Sequence, residues 1–388
     1  MIIYFLPTSY PDEANPQKDI FIYEQAKKLS QFGHKIIVLH VKKLPTRKLF
    51  SKANYDITEI DDGFAQRICI EQKTILEHRL PAINKNAFIC NMDRAYQFAS
   101  KKYGKPDVLY AHFSCWAGYA GVELSRKYDI PLVTLEHFGG LLLPNVSKTL
   151  RQCVSYTVFG SRIFMCVSEN LKESIVNLVG TDNITVMPNM IDSSFSYFPR
   201  NKNEKFTILS IGNLNKGKDF ETLIRAFDKA FKKSDKIELR IGGGGPEKER
   251  LELLIRKLGR DKQICLLGKL TREQTLNEYR KCDCFAMASK FETYGMVYRE
   301  ALVTGRPIVT TNHGGFGKSD WHEEYGIMVP VHDIVALSEA LKNIYNDYDK
   351  YNGAEISKLC IKDCSSDIIG KKIECVLISA IKKGEYNE

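Results

Sequence analysis

At 388 residues the chain is too long for one ordinary core and implies about two domains. A hydrophobic share of 44% and an aromatic share of 11% exclude disorder as the main state, and no apolar run approaches the roughly 18 residues that span a bilayer. The formal charge of +9 is modest for the length, and no nucleic-acid-binding motif accompanies it, so nucleic acid is not the expected partner.

The first element is the apolar run "MIIYFL". It lacks a basic leader and is too short for a signal peptide, so it reads as a buried strand. "DIFIYEQAKKLSQFG" comes next as an amphipathic helix closed by Gly33, and "HKIIVLHV" is the second strand. No acid occurs between Glu24 and Asp56, whereas Lys42, Lys43, Arg47 and Lys48 lie among apolar and aromatic residues in "VKKLPTRKLFSK". Such a patch suits an anionic membrane surface, where each basic residue contributes about 1 kcal/mol. A solvated basic face is the alternative.

The strands "DVLYAHF", "PLVTLEH", "IFMCVS" and "NITVMP" complete the first half. "TLEHFGG" sets Glu136 and His137 at a strand end beside two glycines. An imidazole there is placed to hydrogen-bond a substrate hydroxyl, or is structural, and the same choice holds for His112. The polar, aperiodic stretch 192–206 contains Pro199 and reads as a boundary. The expected division is 1–192, a linker at 193–205, a second domain at 206–365, and a C-terminal helix at 366–388 returning toward the first domain.

The second half repeats the style with "FTILSIG", "IELRIG", "ICLLG", "CFAMAS", "RPIVTT" and "GIMVP", and with helices at 219–233, 246–258, 271–281 and 296–304. Val/Ile/Leu-rich strands alternating with helices imply parallel sheets covered on both faces. The expected fold is therefore α/β, with two Rossmann-like, doubly wound domains facing a central cleft. The stretches after Leu6, Tyr110, Leu135, Ile211, Ile241 and Ala288 are expected to point into that cleft.

Three stretches of the second half carry candidate chemistry. In "ILSIGNLNKGKDFETLIRAF" a strand ends at Ile211, Gly212 and Gly217 form a tight loop, and Lys216 and Lys218 flank a helix start. Free backbone N–H groups with lysines at a helix N-terminus suit phosphate, and a solvated loop is the alternative. In "IELRIGGGGPEKERLELL" Gly242 to Gly245 succeed a strand, but Glu247 and Lys248 occupy the place of the third fingerprint glycine, so a nicotinamide cofactor is not expected. In "SKFETYGMVYREALVTGRPIV" Glu292 and Glu300 have seven residues between them. A helix starting near Gly295 or Met296 leaves Glu292 in a loop and Glu300 more than a turn inside. Eight positions rotate a helix by about 80° beyond whole turns, so the two carboxylates do not share one tight face. Two separate hydrogen-bonding roles fit better than an acid/nucleophile pair, and two surface glutamates are the bland alternative.

Metal is not indicated. The eleven cysteines are scattered without a CxxC pair, Cys282 and Cys284 alternate along a predicted strand, and Cys360 and Cys364 stand at helical spacing. Asp347 and Asp349 read as solvated surface. Reduced thiols in a cytosol are the simplest expectation.

Taken together, these motifs resemble the GT-B glycosyltransferases of the family 4, glycosyl group 1 type. The resemblance covers nearly the whole chain and is densest from Phe206 to Asp333. "GNLNKGKDFETLI" resembles that family's Gly-Arg-Leu…Lys-Gly loop, "GGGGPEKERLE" its glycine turn, and "SKFETYGMVYREALVTGRPIV" its Glu-x7-Glu signature. "TNHGG" and "EEYGIMVPVHD" resemble the family's segments downstream of that signature, and "TLEHFGG", "CVSENL" and "MPNMID" fit its first half.

The resemblance implies that Lys218 and the backbone of Tyr294, Gly295, Met296 and Val297 hold a donor diphosphate, with Gly212, Asn213 and Lys216 beside it. It implies that Glu300 binds the ribose hydroxyls, Glu292 positions the donor sugar and His137 touches the transferred sugar. No metal or cofactor is expected, the UDP- or GDP-linked sugar being a substrate, and transfer is expected to retain configuration. The expected acceptor is a glycan or lipid-linked glycan in surface polysaccharide synthesis. The expected location is the cytoplasm, peripheral at the inner face of the plasma membrane. Three departures stand out: Asn213 replaces the usual arginine, Asp219 the glycine after the lysine, and Asp19 a common glycine near the N-terminus. A sugar-nucleotide epimerase and a non-catalytic nucleotide-binding subunit are the alternatives, the second favoured by Asn213.

Overall fold

The computed structural model describes residues 1–44, 56–73, 81–200, 204–232, 234–316 and 320–382. The chain divides into two compact units, Met1–Met190 with Ser366–Glu388, and Ile191–Ser365.

The first unit runs β1 (Ile2–Pro7), α1 (Ile20–Gln31), β2 (Lys35–Leu44), β3 (Thr58–Asp61), β4 (Ala65–Lys73), α2 (Pro81–Tyr103), β5 (Val108–His112), α3 (Tyr119–Tyr128), β6 (Leu132–Glu136), α4 (Lys148–Gly160), β7 (Ile163–Cys166), α5 (Glu169–Val179) and β8 (Thr185–Val186). The sheet order is β3-β4-β2-β1-β5-β6-β7-β8. β1 and β5 are buried along nearly their whole length, which is why they read as unbroken apolar runs. α1 buries Ile22, Gln25, Ala26 and Leu29, the i, i+3, i+4, i+7 positions of one face. Pro7 pairs with His112, His112 with Leu135, and Glu136 with Cys166. That register brings the segments after β1, β5 and β6 to one edge of the sheet.

The second unit runs β9 (Phe206–Ile211), α6 (Phe220–Ala230), β10 (Ile237–Gly242), α7 (Lys248–Lys257), β11 (Ile264–Gly268), α8 (Arg272–Lys281), β12 (Cys284–Met287), α9 (Met296–Val303), β13 (Ile308–Thr311), β14 (Gly326–Val329), α10 (Ile334–Asn346) and α11 (Gly353–Cys364). Its sheet order is β11-β10-β9-β12-β13-β14, with every pairing parallel. The last helix, α12 (Ser366–Lys382), belongs to the first unit and packs on α1, β5 and β6.

Several local expectations change. β3 pairs antiparallel with β4, so the first sheet is not wholly parallel. "NITVMP" contributes only the two residues of β8. Cys282 is not on a strand: it succeeds α8, and β12 begins at Cys284. α7 starts at Lys248 because Pro246 and Glu247 belong to a turn, in which Glu247 N donates to Leu214 O at 3.0 Å.

Candidate functional site

Two loops build the site in the second unit. The loop after β9 carries Gly212 to Asp219, and the loop after β12 carries Ala288 to Gly295. Lys290 N donates to Gly217 O at 2.8 Å and ties them together. Lys218 and Glu292, far apart in sequence, form an ion pair there. Ser289 Oγ donates to the same Glu292 Oε1 at 2.9 Å, and Glu292 N donates to His313 O at 3.1 Å. Burial pushes the His313 imidazole down to about 4, so it is neutral beside that carboxylate at physiological pH.

α9 starts at Met296 behind Gly295, whose φ of 76° is the left-handed conformation glycine tolerates. Tyr298 N is the first to bond within the helix, to Gly295 O at 3.1 Å. The N–H groups of Met296 and Val297 therefore lack intrahelical acceptors, and the helix dipole adds positive potential at that end. Tyr294 offers only its backbone, because its buried ring stacks on Arg299, 3.8 Å from the guanidinium carbon.

Glu300 occupies a separate niche. Its Oε1 accepts from Arg272 Nη1 at 2.7 Å and its Oε2 from Tyr279 OH at 3.3 Å. Burial pushes its carboxyl up, against the opposing pull of Arg272. The two glutamates thus have different partners, and neither is a solvated surface residue.

The glycine turn has a structural reason. Gly212 N donates to Gly242 O and Leu214 N to Gly244 O, both at 3.0 Å, so the two loops run side by side. A Cβ on Gly243 would collide with the Gly212 carbonyl, and one on Gly245 with that of Leu214. Asn213 is exposed, as is Lys216, which lines a cavity of about 330 Å³ with Asp219, Arg250 and Lys290. Asp219 turns to His332 Nδ1 at 2.9 Å and Lys290 Nζ at 3.8 Å.

In the first unit, His137 is buried between Phe21 and Phe113, with ring centroids 4.5 and 5.2 Å away. Its Nε2 lies 3.1 Å from Nδ1 of buried His112, so one imidazole donates to the other. Burial pushes His137 down to about 3 and His112 well below its ordinary range, which keeps both neutral. His137 Nδ1 has no partner among the described residues. Glu136 is a clamp: its carboxylate accepts from the N–H groups of Ser114, His137 and Phe138, each at 2.8 Å.

Of the basic patch, Lys42 pairs with Asp12 at 2.9 Å, and Lys43 Nζ lies 4.4 Å from the Trp116 ring centroid. Arg47 and Lys48 lie outside the described residues. Among the described residues, no helix is long and apolar enough to cross a membrane, and no group of three or more His, Cys, Asp or Glu could hold a metal ion.

Arg272 and Tyr279 carry no motif of their own. Thr271 and Gln274 form a capping box that places Arg272 at the first position of α8, and that much is readable from "TREQ". Its reach across to Glu300 is a tertiary fact.

Residues 194–356 match the family described as Glycosyl transferases group 1, and residues 19–195 match Glycosyltransferase Family 4. The chain is 25% identical over 264 residues to "Glycogen synthase" of Mycobacterium tuberculosis, a match that takes in 66% of this chain and 64% of that relative. The chain therefore spans just under two thirds of that protein's length. It is 35% identical over 159 residues, 40% of this chain and 41% of the relative, to the "N-acetylgalactosamine-N,N'-diacetylbacillosaminyl-diphospho-undecaprenol 4-alpha-N-acetylgalactosaminyltransferase" of Campylobacter jejuni. Among solved structures, HepE of Anabaena in complex with UDP-glucose superposes with a TM-score of 0.71 at 16% identity, covering 97% of this chain and 99% of that one.

Proposed function

The chain belongs to the group 1, family 4 type of glycosyltransferases with the GT-B fold, and from that premise we propose that it moves a sugar from a nucleotide-sugar donor to a glycan or lipid-linked glycan. The observation that carries this reading is the meeting of Lys218, from the loop after β9, with Glu292 and Ser289 in the loop before the open N-terminus of α9. A nucleoside diphosphate leaves with negative charge, and fixed donors aimed at that charge lower the barrier. Lys218 and the N–H groups of Met296 and Val297 are such donors. A diphosphate that takes Lys218 frees Glu292 to accept hydrogen bonds from the donor sugar. Glu300, braced by Arg272 and Tyr279, is suited to a pair of ribose hydroxyls.

In this reading the donor is UDP- or GDP-linked, and the HepE complex favours uridine. Transfer retains configuration and requires no metal. The Campylobacter relative's diphospho-undecaprenol substrate favours a lipid-linked acceptor and a role in surface polysaccharide synthesis at the inner face of the membrane.

Calorimetric titration with UDP, GDP and ADP, first without metal and then with magnesium, tests the donor site. Selective binding without metal, weakened about tenfold or more by Lys218→Ala or Glu300→Ala, is the expected result. Binding to none of the three would mean that Asn213 marks a lost donor site and would overturn the transferase reading. An absolute need for magnesium would remove the metal-independent part.

A further inference from the structure

Arg299 stands one position before Glu300 on α9, and only 4% of it is exposed. A guanidinium at that depth is costly unless acceptors and aromatic faces surround it. Here both do. Its carbon lies 3.8 Å from the Tyr294 ring centroid and 4.5 Å from that of Phe316. Nη1 donates to Tyr294 O at 2.6 Å and to Gly315 O at 3.4 Å, and Nη2 lies 3.4 Å from Asp320 Oδ2.

These partners belong to two loops. Tyr294 ends the loop before α9, and Gly315, Phe316 and Asp320 succeed β13. The same two loops meet again at Glu292, whose N–H donates to His313 O at 3.1 Å. A Cβ on Gly315 would come within 2.8 Å of the Glu292 Cβ, so the loops cross in close contact. The planar fork of Arg299 reaches both sides of that crossing.

The bond to Tyr294 O has a directional consequence. In a trans peptide the N–H points opposite to the C=O, and the described residues contain no cis peptide bond. With the Tyr294 carbonyl drawn onto Arg299, the N–H of Gly295 faces away from the guanidinium. Gly295 is left-handed, at φ 76° and ψ 56°, and Met296 opens a right-handed helix. Successive N–H groups in that alternation form an anion-binding concavity. Releasing the carbonyl would free the Tyr294–Gly295 peptide to rotate and would break up the concavity.

We propose that Arg299 is a positioning residue for the diphosphate of the donor: it fixes the Tyr294–Gly295 peptide so that the N–H groups of Gly295, Met296 and Val297 converge on phosphate. Arg299 acts through the backbone, and its phosphate role rests on the transferase reading.

The test compares the full chain with its Arg299→Met and Arg299→Lys variants. UDP and GDP are titrated by calorimetry, and uridine and guanosine by saturation-transfer NMR. Methionine fills the space without charge or donors, whereas lysine keeps the charge but not the stacking fork. Arg299→Met is expected to bind the diphosphate about tenfold more weakly and the matching nucleoside as the unsubstituted chain does. Arg299→Lys is expected to keep the thermal midpoint and show the same selective loss at smaller size, so the outcome does not depend on folding of the methionine variant. A lysine variant that binds the diphosphate undiminished overturns the proposal. So does equal weakening of diphosphate and nucleoside, the mark of a general loss of structure. If the unsubstituted chain binds no diphosphate, the donor reading falls and takes this role with it, a failure visible before any variant is compared.

Discussion

Lys218 and Glu292 show how much of the candidate site depends on single pairs. Both are mostly shielded from solvent, and Ser289 donates to the same carboxylate oxygen. Removing one member of such a pair strands the other. Lys218→Met is expected to cost about 2 kcal/mol in urea unfolding, near the low end for a buried pair because the lysine is partly exposed. Adding Glu292→Gln should recover most of that loss, while both variants bind nucleotide about tenfold or more weakly in the calorimeter. Recovery of binding in the double variant would remove the diphosphate role from Lys218. His112 and His137 make a second prediction. Both stay neutral in the fold, whereas an unfolded histidine takes up a proton near pH 6.5. Acidification below that value therefore favours the unfolded chain, and the loss continues toward the folded value of about 3 for His137. Between pH 6.5 and 5 each such histidine is expected to cost about 2 kcal/mol. Scanning calorimetry at those two pH values should show the drop, and His137→Asn should reduce it. An unchanged slope would mean that this imidazole is protonated in the fold. The types and order of these residues are legible in the sequence, but their partners are not. Nothing in "TLEHFGG" says that Glu136 will clamp Ser114, because that pairing depends on β5 and β6 lying side by side.

At the scale of elements, the legible parts are those with one dominant pattern. β1, β5, β9 and β12 are buried on both faces and read as continuous apolar runs, and α1 shows a clean 3.6-residue face. The strand pair at 58–73 carries mixed signals: β3 is exposed throughout, and β4 mixes charged and apolar residues as it joins the sheet edge. Its antiparallel pairing is a local hairpin that no βαβ periodicity announces. The glycine turn is legible as a turn, while its cause is not, because the cause is a second loop. Gly243 has a φ of 142° and faces the Gly212 carbonyl, whereas Gly259, with a φ of 66°, faces open space. Gly243→Ala is expected to destabilise by about 2 kcal/mol or more, through overpacking as well as backbone strain. It should also weaken nucleotide binding by displacing the loop that carries Lys218. Gly259→Ala is expected to cost about 1 kcal/mol and to leave binding unchanged. Equal costs in denaturant unfolding would show that the carbonyl contact is not what requires glycine.

At the scale of the whole molecule, the chain crosses from one unit to the other at Met190 and returns at Ser366. The units are therefore not equivalent as pieces of sequence. Residues 191–365 are continuous and contain a parallel sheet, its helices and the Lys218–Glu292 pair. The other unit is completed by α12, which buries Ile369, Ile373 and Leu377, pairs Glu374 with His34 at 2.7 Å, and pairs Asp367 with Lys28 at 2.5 Å. Burying three such apolar side chains contributes roughly 5–9 kcal/mol. That is comparable to the whole stability of a typical domain, about 5–15 kcal/mol. The exposed ion pair with Asp367 adds little to it. A fragment of residues 191–365 is accordingly expected to fold alone and keep nucleotide binding, whereas a fragment of residues 1–190 should populate unfolded or aggregated states until a peptide of residues 366–388 is supplied. Circular dichroism melts of both fragments, with and without the peptide, measure this. A cooperative melt of the 1–190 fragment at the temperature of the intact chain would show that α12 is dispensable.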